Sequence, residues 1–581
     1  MSFIYRSVCI LFLSTLVSCA NPEDELHQLF EDSWNFQLQE NPLQATSVGI
    51  HEYNDRLPSV TQDDYQRRLE QEREFLERLG EIPRDQLSRQ DQISYDIFNQ
   101  LTQDRITEYE FQSYQIPITV RSGFHISFPE MHQQMPLNTT EDYEDYISRL
   151  EQFERYAGEH IEQMQNGIER GWVLPSAALE GIQGSIEPHI VDEPDESMLF
   201  EPFEDFPGRI SEEDQQRLAD EGREAIIESV VPGYENFLTF MEEEYIPSAP
   251  DEIGIASVPE GEEYYEFRVR HYTTLDLTPE EVHETGMDEV ERIREEMYEI
   301  IDETDFEGDF DEFVSFLRND PQFYPDTEEE LLKKASYVLK QMDGELPAYF
   351  NTLPRMPYGL REVPEFIAPR TTTAYYRRPA GDGTEAGFYY LNTYDLQSRP
   401  LYEVEALSFH EAVPGHHLQL ALQQELEDIP DFRRHAGFTV FVEGWALYAE
   451  RLALEMGFYD DPYSDFGRLS YEMWRALRLV VDTGTHYMGW TRQEAIDFMA
   501  ENSALTMHNI RSEVDRYISW PGQALAYKTG ELKIHELRDH AEEELGDDFD
   551  IRTFHDAVLL DGSITLDVLE ENITRYIDDN R

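Results

Sequence analysis

The chain has 581 residues, 122 acidic against 45 basic, and a formal net charge of −77. A nucleic-acid partner is excluded, because no basic stripe is available to neutralise phosphates. The acid is spread along the whole chain, and lysine is confined to Lys333, Lys334, Lys340, Lys528 and Lys533. A folded chain with this much self-repulsion is better off where salt screens it, which points to a salt-adapted source.

The N-terminus reads as an address. After Arg6, an apolar run from Val8 to Val17 ends in Leu16-Val17-Ser18-Cys19. The run has the length of a signal-peptide core and is too short to span a bilayer. The residues before Cys19 resemble a bacterial lipobox. Residues 1–18 are therefore expected to be a signal peptide, and Cys19 the lipidated first residue of an exported cell-envelope lipoprotein. Ala20 after the cysteine favours the outer membrane. The other cysteine, Cys9, lies inside the signal, so no intramolecular disulfide is expected. No later run is apolar enough to cross a membrane, which leaves the N-terminal lipid anchor as the expected membrane contact.

From about Pro22 to Arg105 the periodicity predicts helices, clearest over Asp63–Leu79 and Asp91–Leu101. Tyr114–Val120 reads as a short strand and Gly123–Pro136 as an aromatic-rich loop. Thr140–Gly171 and Ser211–Tyr245 read as long amphipathic helices, and the acidic, proline-containing stretch Ile186–Arg209 between them as a loop or lid. Tyr264–Leu277 alternates and is rich in aromatic and β-branched residues, so it reads as strand. Thr278-Pro279-Glu280-Glu281 then opens a helix with a cap, a proline at the first position and acids in the first turn. Helix is expected to Ile301 and again over Thr327–Phe350. Pro354, Pro357 and Pro364 mark a lobe boundary near 354–370 within one large helical catalytic domain, 19–581. Thr371–Arg377 and Phe388–Asp395 read as strands joined by a turn at 381–383, and nearly everything after Leu401 as helix. The fold class is mainly α, with a few short strands beside the stretch described next.

His410-Glu411-Ala412-Val413-Pro414-Gly415-His416-His417 puts three histidines and a carboxylate into eight residues. In a His-Glu-x-x-His zinc helix the two ligands sit four residues apart, on one face. Here Pro414 occupies that second position, and the next histidines follow His410 by six and seven residues. Six residues turn an ideal helix through about 600°, so a straight helix would aim His410 and His416 apart. Pro414 cannot donate to the carbonyl of His410, and Gly415 tolerates almost any backbone angle, so a kink there can absorb the extra residues. A third ligand is offered by Phe441–Glu450, where Glu443 and Glu450 lie seven residues apart on one face of an apolar helix. Acids on such a face are expensive to bury without a cation or a strong donor. Two histidines and Glu443 would hold one zinc ion with a fourth position open to water, and Glu411 would serve as base.

HEAVPGHHLQ followed by FVEGWALYAE resembles the bacterial family catalogued as domain of unknown function 885, many of whose members are described as lipoproteins. The pattern is also similar to helical zinc peptidases with a glutamate third ligand, such as thimet oligopeptidase, carboxypeptidase Taq and angiotensin-converting enzyme. Dipeptidyl peptidase III, whose motif has one extra residue, shows that such insertions are compatible with zinc. The resemblance implies a zincin-like metallopeptidase fold. Gly415-His416-His417-Leu418 matches the Gly-His-Ala-Leu string of the thimet group, which implies His416 rather than His417 as ligand. Arg516, Tyr517 and Tyr527, in EVDRYISWPGQALAYK, resemble the family's C-terminal motif; related peptidases use a tyrosine or histidine to stabilise the tetrahedral intermediate, which implies that role for Tyr517 or Tyr527.

Other candidates come from the residues themselves. Asp482 and His486, four apart on a helix, can hydrogen-bond and aim His486 at a developing oxyanion. The strand at Phe388–Asp395 can pair with an extended substrate, with Asn392 in contact. His417 is expected to support the ligands, face substrate or substitute as a ligand, and Glu450 to support the ligands or touch substrate, while His283 and His435 read as structural. The expected function is a tethered zinc peptidase acting on peptides. The alternatives are a zinc hydrolase of a non-peptide amide or small metabolite, and a non-catalytic metal-binding lipoprotein.

Overall fold

The structure is a computed structural model that describes residues 21–365, 368, 372–379, 383 and 385–581. The signal segment, Cys19, and Gly381 and Asp382 of the expected turn lie outside the described residues.

Helix dominates, and its starts follow local chemistry. α1 (Pro22–Glu40), α2 (Gln62–Gly80) and α3 (Arg89–Phe111) begin after Asn21, Thr61 and Ser88, whose side chains each accept a backbone N–H of the first turn. The expected helix over 140–171 is two, α4 (Thr140–Glu151) and α5 (Phe153–Arg170). The next expected helix runs through α6 (Glu212–Ala225), a π-turn at Ile226–Val230, α7 (Val231–Phe240) and a second π-turn at Met241–Tyr245. Pro232 and Pro247 stand just after the two π-turns, where a missing N–H is accommodated by widening the hydrogen-bond register. These helices pack around Phe128, Tyr146, Phe153, Tyr234 and Phe237.

Several expectations need correcting. Ile186–Arg209 is a chain of 3-10 turns, but Leu199, Phe200 and Phe203 are buried in that same core, which anchors the segment and rules out a free lid. The expected strand at 114–120 is a 3-10 turn, Ser113–Gln115, plus a single bridge from Ile118 to Gly123. The expected loop at 123–136 carries a helix, Phe124–Glu130. Tyr264–Leu277 is not a strand: α8 (Gly261–Thr273) covers most of it. Tyr264, Tyr265, Phe267, Arg268, Val269, Tyr272 and Thr273 are all buried. Glu262, Glu263, Glu266 and Arg270 mark its polar side at helical spacing, but the residues between are so rich in aromatic and β-branched types that they mimic a strand's composition.

α9 (Pro279–Glu303) starts with a reciprocal cap: Thr278 accepts from the Glu281 N–H, and the Glu281 carboxylate accepts from the Thr278 N–H. After α10 (Glu328–Tyr349) come three strands, β1 (Tyr358–Glu362), β2 (Ala374–Arg377) and β3 (Gly387–Leu391). The sheet order is β1-β3-β2, with β1 parallel and β2 antiparallel to β3. β1 lies in the proline-marked stretch and has no counterpart in the sequence reading. Because β3 is central, it has no free edge, so a substrate cannot add to it as a strand.

The remaining helices frame the site: α11 (Val404–Glu411), α12 (His416–Gln424), α13 (Thr439–Glu455), α14 (Pro462–His486), α15 (Met507–Ser519), α16 (Ala526–Leu545) and α17 (Leu566–Asn580). One apolar core joins α1–α3, the sheet, α11–α13, α16 and α17. α13 and α16 cross in backbone contact. A Cβ on Gly444 would meet Gly530 Cα at 2.5 Å, and one on Gly530 would meet the Val440 carbonyl oxygen at 2.0 Å.

Two predictions follow from this packing. Gly444→Val, which forces α13 off α16, should destabilise by about 1–3 kcal/mol, read as a lower urea midpoint; an unchanged midpoint would contradict the close crossing. The second concerns His125 and His160, buried near one another; His160 stacks on Phe124 with ring centroids 4.3 Å apart. Burial holds His125 at about 4 and His160 at about 3, below the ordinary histidine value. The unfolded chain therefore binds more protons, and stability present above about pH 6.5 is lost as pH falls towards those values. His160→Phe should remove up to about 2 kcal/mol of the loss between pH 7.5 and pH 5. Equal losses in the two proteins would discard this account.

Candidate metal centre

The helix that carries His410 stops where the sequence stops permitting it. α11 ends at Glu411, Ala412 leaves helical geometry (φ −108°, ψ −102°), and α12 begins at His416. The Val413–Pro414 peptide is cis. A Cβ on Gly415 would lie 2.1 Å from the His410 carbonyl oxygen and 2.4 Å from that of Phe409, so a side chain cannot be placed there. The break is stitched by Gly415 N–H donating to the Phe409 carbonyl (2.9 Å) and His417 N–H to that of Ala412 (2.9 Å). Trp445 Nε1 on α13 donates to the Pro414 carbonyl at 2.9 Å. The offset between His410 and His416 is thereby cancelled: their rings lie 4.7 Å apart at 80°.

α13 brings Glu443 to the same point. Its Oε2 lies 3.4 Å from His410 Nε2 and 3.6 Å from His416 Nε2, and the ligand atoms of the three residues all fall within 4.8 Å of one another. These separations are long for hydrogen bonds, but they match the edge of a tetrahedron with ligands about 2.0–2.1 Å from a central ion, which is about 3.3 Å. His410 Nδ1 lies 2.7 Å from Glu450 Oε1. With that nitrogen donating, the lone pair on Nε2 faces the Glu443 carboxylate, an arrangement that needs a cation between them. The carboxylate behind His410 also fixes ring orientation as metal sites require. His416 Nδ1 is buried with no hydrogen-bond partner. The donor set therefore fits a divalent metal ion held by His410, His416 and Glu443.

The charges agree. Burial opposes a charge on His410, but Glu443 and Glu450 outweigh it and raise its pKa to about 9, so without a metal a proton takes the cation's place. Burial keeps His416 neutral, at about 4. Burial also disfavours charge on Glu443, yet the two histidines hold it at about 2. Glu411 is raised to about 7, chiefly by burial, with His410 working against and Glu443 adding to the shift. Among the described residues, its carboxylate accepts no hydrogen bond and keeps a sliver of exposure, 8%.

Two arginines on α14 complete the surroundings, and the sequence reading missed both. Arg475, stacked on Tyr471 and Trp474, places Nη2 3.7 Å from Glu450. Arg478 donates to Tyr517 Oη (3.0 Å) and Glu513 Oε2 (3.3 Å), and its charge helps keep Glu443 ionised. The signal was available: two cations three residues apart on a buried apolar helix need carboxylates just as Glu443 and Glu450 need a cation.

The other sequence candidates separate. His417 turns away from the cluster: Nε2 donates to the Met356 carbonyl (3.1 Å), and Nδ1 accepts from Tyr376 Oη (2.8 Å). Asp482 and His486 do not pair. Asp482 accepts from Tyr265 Oη (2.6 Å) and the Gly522 N–H (3.1 Å), while His486 accepts from the Ile255 N–H (3.2 Å) and donates to the Tyr517 carbonyl (2.9 Å). Both ring nitrogens of His486 are thus committed, which removes it as an oxyanion donor. The Tyr517 hydroxyl donates to Glu513 (2.9 Å) and accepts from Trp474 and Arg478 (3.0 Å each), so it too is committed. Arg516 binds Glu513 and Gln523. Asn392 is fully buried, its amide donating to the carbonyls of Ala368 and Thr372, and is walled off from substrate. Tyr527 differs: it is half-buried, its hydroxyl accepts from Gln523 Nε2 (3.3 Å) and keeps its own proton to donate, its ring lies 4.2 Å below the Arg478 guanidinium, and it stands one turn before Gly530 at the α13 crossing beside Glu443.

Comparison with known proteins identifies the family and the fold. Residues 42–573 match the family described as "Bacterial protein of unknown function (DUF885)". The chain belongs to this family. A crystal structure of a "putative lipoprotein" from Colwellia psychrerythraea superposes with a TM-score of 0.91 at 29% identity, covering 96% of this chain and 100% of that one. A second "putative lipoprotein of unknown function", from Shewanella oneidensis, shares the fold with a TM-score of 0.72 at 18% identity over 96% and 100% of the two chains. Comparison with curated proteins found no match.

Glu450 gives this site its sharpest test. Glu450→Ala should weaken zinc binding roughly 10- to 100-fold, measured by competition with a chromogenic chelator; an unchanged affinity would remove Glu450 from behind His410.

Proposed function

We propose that this protein is a zinc-dependent hydrolase, most simply a peptidase, that works outside the cytoplasm. The observation that carries the reading is the meeting of His410, His416 and Glu443 in tetrahedral spacing, with the unpartnered carboxylate of Glu411 beside them. A structural site has no use for such a carboxylate. When bound, a zinc ion supplies Lewis-acid chemistry, polarising a carbonyl and acidifying water.

The chain's own groups account for the remaining work. Glu411, with a pKa near neutral in the metal-free site, takes the proton of the attacking water and returns it to the leaving amine. Glu450 holds the His410 ring and its tautomer. With Tyr517 and His486 committed elsewhere, Tyr527 is the proposed donor to the developing oxyanion. The three-stranded sheet flanking α12 supports a zincin-like reading of the fold. The lipobox-like segment before Cys19, together with the two lipoprotein-described relatives, supports a lipid-anchored place in the cell envelope.

The test joins metal content to turnover. Purified protein should carry about one zinc per chain, digest a peptide library, and lose both on treatment with a chelator. Glu411→Gln should keep the metal and lose roughly 10²–10⁴-fold in rate. Turnover that survives complete metal removal, or that is untouched in Glu411→Gln, would overturn the reading.

A further inference from the structure

Among the described residues, Arg378 has no partner. In a chain with 122 acidic residues, its half-buried guanidinium makes no hydrogen bond and no ion pair among the described residues. Other buried arginines without a carboxylate, such as Arg149, Arg318, Arg399 and Arg433, are compensated by backbone carbonyls. Among the described residues Arg378 lacks even those. A desolvated cation left this way is costly, and it is tolerated where a ligand supplies the missing anion.

Its place is set by the neighbours on either side. Arg378 lies just past the end of β2, between Tyr376 and Pro379. Tyr376 donates to His417 Nδ1 at 2.8 Å, and the Pro379 carbonyl accepts from Gln424 Nε2 at 3.3 Å. Both anchors lie on α12, one at its first turn and one at its last. Arg378 is therefore held along the helix that begins with His416, and its charge reaches both His416 and His435. Arg377 goes the other way, to Glu385 at 2.7 Å.

We propose that Arg378 is the carboxylate-binding residue of the substrate site, selecting peptides whose free C-terminal carboxylate lies within a residue or two of the bond to be cut. This rests on the hydrolase reading above and gives it a substrate class. The guanidinium offers a planar fork that matches a carboxylate. In a molecule of net charge −77, an anionic chain end meets repulsion everywhere except where such a cation stands free. Each residue of extended substrate spans about 3.3–3.6 Å, so a group held beside His416 measures a short distance from the reacting carbonyl.

The experiment uses matched libraries of N-acetylated hexapeptides, one ending in a free carboxylate and one in an amide. The zinc-loaded protein is expected to cut the acid library within two residues of the C-terminus, roughly 10- to 100-fold faster than the amide library, the range of one charge-assisted pair. Arg378→Gln should erase that preference, so that acid and amide libraries are handled alike, and Arg378→Lys should restore part of it. Retention of the same libraries by the protein in equilibrium dialysis reads the preference without turnover. If neither library is cut, the hydrolase reading fails, and the dialysis contrast between wild type and Arg378→Gln still decides the role of Arg378. Equal handling of acid and amide by the wild type, or a preference that survives in a folded Arg378→Gln, overturns the proposal.

Discussion

The interruption between Glu411 and His416 is the constraint on which the site depends. An unbroken helix through this stretch would place His416 nearly opposite His410. Pro414 prevents that helix, and Gly415 lets the broken turn fold back to where a Cβ would strike the carbonyls of Phe409 and His410. The broken turn is not loose, because Trp445 on α13 fastens the Pro414 carbonyl, two residues from Glu443, which faces both histidines. One contact therefore sets two things together: the reach of the second histidine and the register of the helix that supplies the carboxylate. The glycine crossing of α13 and α16 serves the same end from behind, since it lets α13 lie deep enough for Glu443 to face the histidines.

Around this point, charge is organised in layers that would be unstable separately. Glu450 is buried because His410 donates to it and Arg475 stands nearby. Glu513 is buried because Arg478, Arg516 and Tyr517 converge on it. Further along α14, Glu472 is enclosed by Lys528, Arg292 and Arg468. Burying any of these ions alone would cost several kcal/mol. Paired, they tie α14 to α9, α13, α15 and α16, and so fix the positions of the groups that face the cluster. Hydrogen bonds that commit Tyr517 and His486 belong to this scaffold, which is why two plausible catalytic residues turn out to be spent on structure.

What was legible in the sequence was chemistry with a strong local cause. The helix start at Thr278 follows from capping, the helices over 63–79 and 91–101 from apolar periodicity, and the interruption at Pro414-Gly415 from backbone sterics. Glu443 and Glu450 stand out because acids do not belong on a buried apolar face without a reason. What was illegible depended on partners distant in sequence. α8 looked like a strand because its buried majority is aromatic and β-branched, which outweighed the helical spacing of Glu262, Glu266 and Arg270. β1 is short and lies among prolines, and it exists because β3, twenty-five residues later, pairs with it. Asp482 and His486 have the spacing of a helical pair, yet each finds a better partner in the Tyr265 hydroxyl and in backbone groups of Ile255, Tyr517 and Gly522. Spacing along one helix says which residues can meet, whereas burial decides which of them have been claimed by something else.

The acidity of the chain gives the site its contrast. Surface carboxylates repel one another and any anionic ligand, and salt weakens that repulsion over about 8–10 Å. Inside, screening fails and each charge must find its opposite within contact distance. That difference divides the cations of this protein by task. Lys528, wholly buried among Glu289, Glu472 and Glu531, is consumed in holding helices together. Arg475 and Arg478 are consumed in holding the carboxylates behind the cluster. Arg378 alone beside α12 is consumed by nothing in the described fold. In a molecule this short of positive charge, a cation left without a counter-charge among the described residues is the exception to that division, and it is the ground for the carboxylate-binding role proposed above.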